Sequence, residues 1–220
     1  MPDVEHNPFV RIRAKNSAPR YAAPMWRAGE SDRIASTITA PRHGAVITGA
    51  VIHTTGSPFG DEASEVRRLR RWATGKPSSS THEVILRSGR AIQMVPYHLA
   101  AEHTSDARAS WGTRSPVDQY TIGIDLMNVG ALKRDGDVYR NGYGGVHEGS
   151  VVHDAQGRPW EGFTHRQLDA LWALVPRIIR IVPALADPDA WAGHDAIQPG
   201  KVDPGPCFPW ADFLAMVAAV

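Results

Sequence analysis

The stretch Gly193-His-Asp-Ala-Ile-Gln-Pro-Gly-Lys-Val-Asp-Pro-Gly-Pro206 sets His194, Lys201 and Asp203 on one loop stiffened by Pro199, Gly200, Pro204, Gly205 and Pro206. Glycine and proline turn a chain sharply and leave it little freedom to lose on folding, which suits ligands that must converge on a point. A catalytic zinc takes three protein ligands and keeps a fourth position open. His194 and Asp203 supply two of the three. For the third, the best candidate lies far upstream. His53 ends the run Ala45-Val-Ile-Thr-Gly-Ala-Val-Ile52, whose β-branched residues and short length mark a buried strand, and Thr54-Thr-Gly-Ser-Pro58 then turns the chain. The histidine is thereby placed at the carboxyl end of a core strand, where open α/β sheets put their ligands.

Working outward, Tyr120-Thr-Ile-Gly-Ile-Asp-Leu-Met127 reads as a second core strand with one carboxylate, Asp125, in its middle. A carboxylate there is costly to bury unless it is paired or used. His82-Glu-Val-Ile-Leu86, Arg87-Ser-Gly-Arg90 and Ala91-Ile-Gln-Met-Val95 predict a hairpin that opens on His82. Asp61 to Ala73 has the spacing of an amphipathic helix with acidic residues first and basic residues last. Its arginines, Arg67, Arg68, Arg70 and Arg71, are read as the solvent face. Thr164-His-Arg-Gln167 is a capping box that opens a helix carrying Leu168, Leu171, Trp172, Val175 and Ile178 on one face, which Pro176 should kink or split. A last amphipathic segment runs from Trp210 to Val217. Strand and helix signals interleave, so the fold class is α/β: a central mixed β-sheet flanked by helices. Residues 1–40 read as an extended N-terminal arm, residues 41–220 as the catalytic domain, and residues 129–160, rich in glycine, as a loop insertion.

The bulk properties narrow the function. A chain of 220 residues supports one core, and a net charge of +1 lacks the basic footprint of a nucleic-acid binder. The single cysteine, Cys207, excludes an intrachain disulfide framework. No stretch is long and apolar enough to span a membrane, and Met-Pro-Asp-Val-Glu-His has neither the basic segment nor the apolar core of a signal peptide. The expectation is a monomer made in the cytoplasm.

Four ordered motifs carry a resemblance. Val51-Ile-His-Thr-Thr-Gly56, Ser80-Thr-His-Glu-Val-Ile-Leu-Arg-Ser-Gly-Arg90, Thr121-Ile-Gly-Ile-Asp-Leu-Met-Asn128 and the loop from Gly193 to Pro206 resemble those of the type 2 N-acetylmuramoyl-L-alanine amidases. That family shares its fold with peptidoglycan recognition proteins. The resemblance implies a Zn2+ ion held by His53, His194 and Asp203, with peptidoglycan or a muropeptide as substrate. The bond cut would be the amide between N-acetylmuramic acid and L-alanine. It puts Asp125 where many members carry a glutamate that acts as general base, gives Lys201 the oxyanion of the tetrahedral intermediate, and brings His82 and His103 to the substrate cleft. Cys207 competes with Asp203 for the third ligand position, but Asp203 holds the family's place before Pro-Gly-Pro. Two rivals stay open: a non-catalytic peptidoglycan-binding module of the same fold, and a zinc peptidase of the stem peptide.

Overall fold

The computed structural model describes residues 33–58, 60–75, 79–104 and 108–220, and in it the apolar runs of the sequence become one five-stranded sheet. In chain order the strands are β1 (Thr39–Pro41), β2 (Gly49–Thr54), β3 (Glu83–Ile85), β4 (Ala91–Gln93), β5 (Leu99–Ala101), β6 (Thr121–Leu126), β7 (Leu132–Asp135), β8 (Val138–Asn141), β9 (Val146–His147), β10 (Val151–His153), β11 (Pro159–Glu161) and β12 (Trp191–Gly193). The helices are α1 (Glu62–Thr74), α2 (Val117–Tyr120), α3 (His165–Ile181), α4 (His194–Ile197) and α5 (Trp210–Val217). The central sheet has the order β12-β2-β6-β3-β4; its first four strands run parallel and β4 returns antiparallel to β3, so the sheet is mixed.

Side chains alternate across a strand, and here the alternation divides apolar from chemical residues. Ile52 on β2 and Ile122, Ile124 and Leu126 on β6 pack against Leu171, Val175 and Ile178 of α3 and Phe213 of α5. The opposite face carries Val84, which packs with Leu86, Met94 and Met127 against Leu69 and Ala73 of α1. On that same face Val51 meets Val117 and Ile197, and Thr121, Gly123 and Asp125 share the parity of His53. Each fully buried isoleucine or leucine contributes about 1.5–3 kcal/mol. The apolar face anchors the sheet while the other is free to carry polar groups.

Helix α1 starts where expected, with the Asp61 carboxylate accepting the Ser64 backbone N–H at 2.7 Å. The capping box of α3 also forms: Gln167 N–H donates to Thr164 Oγ1, and Thr164 N–H to the Gln167 side chain. Pro176 does not split α3, which runs through it from His165 to Ile181. The ring removes one ladder donor, and the burial of Leu171, Val175 and Ile178 on both sides of it outweighs that loss.

Two stretches at the margins show more strand than the sequence pattern announces. Residues 129–160 carry short strands between their turns: β7, β8 and β9 form a three-stranded antiparallel unit, and β10 pairs with β11. The turn between β7 and β8 is the dipeptide Gly136-Asp137, and Gly136 adopts φ 59°, as the first position of a two-residue hairpin turn requires. At the other margin, the boundary placed between residues 40 and 41 falls inside β1, which pairs with β5. The preceding residues already lie along the sheet, Ile34 N–H donating to Gln93 O and Ser36 N–H to Met94 O. Residues 1–32, most of the expected arm, lie outside the described residues. Among the described residues no helix is long and apolar enough to cross a membrane.

Candidate metal centre and active site

Strand register assembles the site. In the β2–β6 pair His53 stands opposite Asp125, and in the β12–β2 pair Gly193 stands opposite Ile52, so His194 emerges one residue later at the same edge. Three neighbouring parallel strands thus deliver their groups at their carboxyl ends. The Pro/Gly loop brings Asp203 back over α4, where Asp195 N–H donates to Asp203 O at 2.9 Å. Gly193 is required by this closure: a Cβ there would strike Asp195 Oδ1 and stand 2.8 Å from Pro204 Cδ.

His53 Nδ1, His194 Nδ1 and Asp203 Oδ2 form a triangle with sides of 3.0, 3.1 and 3.2 Å. A count of protons gives its character. His194 Nε2–H donates to Gln198 Oε1 at 2.8 Å, which leaves Nδ1 bare. The Thr121 hydroxyl donates its one hydrogen to Val117 O at 2.9 Å, so its oxygen accepts from His103 Nε2–H, also at 2.9 Å. Asp118 Oδ1 lies 3.4 Å from the same His103 nitrogen. His103 Nδ1 is therefore an acceptor, and His53 Nε2–H donates to it at 3.0 Å. His53 Nδ1 is then bare as well.

Two imidazole lone pairs and a carboxylate oxygen facing one another repel unless a positive charge stands among them. Three ligands on a tetrahedral zinc with bonds of about 2.0–2.1 Å lie roughly 3.3 Å apart, close to the sides of this triangle. The donor set and its outward-directed protons fit a metal ion. The protein's own electrostatics record the same demand. Burial acts to lower the His53 pKa, yet the Asp203 carboxylate beside it raises it above the ordinary value. Burial acts to raise Asp203, yet the His194 and His53 rings facing it hold it well below the carboxylate range, as a positive charge at this point would.

The triangle forms the floor of a cavity of about 520 Å³. Asp125 borders it, almost fully buried, and burial pushes its carboxyl above the usual range. Lys201 borders it too, with an exposed side chain on a backbone held by its N–H to Gln198 O. His103 lies in the cavity wall, but both ring nitrogens are engaged behind it. His82 is not at the cleft: it is fully buried and does not line the cavity. Its Nδ1 accepts Gly123 N–H at 3.0 Å, its Nε2–H donates to Leu99 O at 3.1 Å, and the Arg42 guanidinium packs alongside. Burial, aided by Arg42, lowers its pKa to about 3, so the ring is a neutral tie between β3, β5 and β6. Cys207 stands apart from the triangle, its thiol pushed up by burial.

Sequence reasoning missed Gln198, Thr121 and Gly123. Gln198 sits four residues after His194, within reach of its ring, and Thr121 and Gly123 share the parity of Asp125 on β6, so their signals were present. Gly123 makes room for the relay: a Cβ there would come within 2.7 Å of His103 Cγ.

Comparison with known proteins extends this picture. Residues 43–206 match the N-acetylmuramoyl-L-alanine amidase family. The 1,6-anhydro-N-acetylmuramyl-L-alanine amidase AmpD of Salmonella typhimurium is 29% identical over 140 residues, 63% of this chain and 57% of that protein. The protein of the same name from Escherichia coli is 26% identical over 140 residues, 63% and 58% of the two chains. The chain thus spans less than two thirds of the length of these curated relatives. Among solved structures, E. coli AmiD in complex with anhydro-N-acetylmuramic acid-L-Ala-D-γ-Glu-L-Lys has a TM-score of 0.55 and 25% identity, covering 81% of this chain and 58% of AmiD. A selenomethionine AmpD structure has a TM-score of 0.55 at 24% identity, over 87% and 96% of the two chains, a likeness of fold. Because the family match begins before His53 and ends beyond Asp203, the residues that converge on the floor of the cavity all fall within it, and the chain belongs to the type 2 N-acetylmuramoyl-L-alanine amidase family.

Proposed function

We propose that the protein is a zinc-dependent amidase that hydrolyses the amide between N-acetylmuramic acid and L-alanine in peptidoglycan fragments. The observation that carries this reading is the triangle of His53, His194 and Asp203, complete and stripped of protons, beside a buried carboxylate and an open lysine. A zinc ion held by the three supplies a Lewis acid and lowers the pKa of water toward about 7.

The remaining work falls to this chain's own residues. Asp125, next to His53 in the strand register and raised by burial, accepts the proton of the water that attacks the amide carbon and returns it to the departing L-alanine nitrogen. Lys201 reaches the cavity from the loop between two ligands and meets the negative charge that develops on the carbonyl oxygen. Gln198 fixes the tautomer of His194, and His103, backed by Thr121, fixes that of His53; His103 acts on the metal ligand rather than on substrate. The names of the relatives favour a soluble 1,6-anhydro-muropeptide over intact wall, and the AmiD ligand gives its form: L-alanine followed by a γ-linked D-glutamate, whose α-carboxylate is free.

The test is product analysis of anhydro-muropeptides and of purified peptidoglycan after treatment with the protein, with chelator, and with zinc restored. Peptides with new L-alanine amino termini, lost on chelation and regained with zinc, are expected. Binding without cleavage would identify a recognition module instead, and a new terminus within the stem would identify a peptidase.

A further inference from the structure

Helix α1 contributes a wall that the hydrolysis itself does not use. Arg68, Arg71 and Trp72 occupy positions i, i+3 and i+4, share one face of the helix, and all border the cavity above the metal triangle. The arginine run is therefore not a uniform solvent face: Arg67 and Arg70 do not border the cavity, and Arg67 donates to Ser64 Oγ at 2.7 Å.

Arg68 is fixed in place. Its Nε and Nη2 donate to the two oxygens of Glu65 at 2.9 and 2.7 Å, and its guanidinium lies 5.3 Å from the centroid of the Trp72 ring. Trp72 Nε1–H in turn donates to Ser79 Oγ at 2.8 Å. Glu65 is fully buried and also accepts from Ser57 Oγ at 2.6 Å. A buried ion pair adds little net stability, because desolvation offsets its attraction; what this one gives is a guanidinium held in a single plane at the cavity wall. Among the described residues, Arg68 Nη1 has no hydrogen-bond partner, and the exposed Arg71 side chain has neither a hydrogen bond nor an ion pair.

Fixed but unengaged cationic donors call for an anion, and on the function proposed above only one side of the scissile bond carries one. The sugar side is neutral, its lactyl carboxyl being the acyl half of the amide. The peptide side begins with L-alanine and continues with a γ-linked D-glutamate bearing a free α-carboxylate. We propose that Arg68 and Arg71 form the subsite of the departing peptide, hold that α-carboxylate, and make the protein select stems with a free carboxylate over those in which it is amidated.

The inference rests on the amidase reading, so its test separates the two. The probes are the tripeptide L-Ala-D-γ-Glu-L-Lys and the same tripeptide with its glutamate α-carboxylate converted to the carboxamide, titrated calorimetrically into zinc-loaded protein. The acid should bind about tenfold more tightly than the amide, the factor one charge-assisted hydrogen bond supplies. Arg71→Gln, at an exposed position that does not endanger folding, should bring the two within about twofold, and Arg68→Lys, which keeps a cation facing Glu65 but loses the fork, should narrow the gap. Equal affinities in the unmodified protein, or a ratio that neither substitution moves, overturn the subsite. Hydrolysis of the corresponding muropeptides without discrimination overturns the subsite and leaves the amidase standing; discrimination in binding without hydrolysis keeps the subsite and removes the amidase.

Discussion

The floor and the wall of the cavity present their nitrogen-bearing side chains in opposite states. On the floor, every ring proton of His53 and His194 is committed outward, to His103 and Gln198, and bare lone pairs face the centre. On the wall, Arg68 is just as firmly tied, yet Nη1 and the whole Arg71 head group are left with protons to offer. Where hydrogens are drawn away, the protein prepares a place for a cation; where they are left pointing inward, it prepares one for an anion. The floor should therefore govern metal and turnover, and the wall should govern which molecule is held.

The most severe break in that comparison is Asp203→Ala. It leaves two lone pairs with no carboxylate, and zinc content should fall to background in metal analysis, with affinity down by more than the 10–100-fold typical of outer-sphere changes. Retention of stoichiometric zinc would show that the triangle is not the metal centre. Next comes Lys201→Ala, which removes a charge from the mouth but no ligand: turnover should drop by about 10²–10³-fold with zinc content unchanged. A near-normal rate would take Lys201 out of the chemistry.

Thr121→Val sharpens the comparison from further back. It keeps the shape of the side chain and removes the acceptor that orders His103. Zinc affinity should weaken by about tenfold and that of His103→Ala by up to about a hundredfold. In metal-free protein, nitrogen NMR should find the His53 proton on Nε2, and finding it on Nδ1 would contradict the relay.

The last case is His82, a histidine outside the cavity whose effect falls on stability rather than on metal or turnover. Its folded pKa of about 3 lies below the unfolded value of 6.5, so below pH 6.5 the unfolded chain takes up a proton that the folded chain refuses. The contribution of neutral His82 is intact above pH 6.5 and should be lost at about 1.4 kcal/mol per pH unit as pH falls toward 3. Denaturant titrations of the parent and of His82→Gln should differ in slope across that window, and parallel curves would count against a buried, neutral ring.

What was legible in the sequence follows from how locally each feature is encoded. The sheet, α1, the cap of α3 and the three residues that converge as a triangle announce themselves within a few positions, through β-branched runs, a capping box and a Pro/Gly loop. The β7–β11 region was less legible because its strands are short and mostly exposed or half-buried, as along Leu132–Asp135 and Val138–Asn141, so no apolar alternation marks them. The histidines were harder still. His82 and His103 both sit in family-like motifs, and their fates are settled by Arg42 and Thr121, which lie 40 and 18 residues away in sequence. The split of the arginine run depended on the helical phase of Arg68 and Arg71, which only the packing of Leu69 and Ala73 makes visible.

Gly123 is where the neutral histidine and the relay histidine meet. Its N–H is taken by His82 Nδ1, its carbonyl by the His82 backbone N–H, and the space above its Cα by the His103 ring. With 2.7 Å to His103 Cγ and 2.9 Å to Thr81 Oγ1, there is no clearance for even one methyl group. An alanine at this position would act as a wedge, tilting the ring that aims His53 while every ligand and every charge stayed in the sequence. A fine tolerance is thus assigned to a residue with no side chain, one strand away from the triangle it serves.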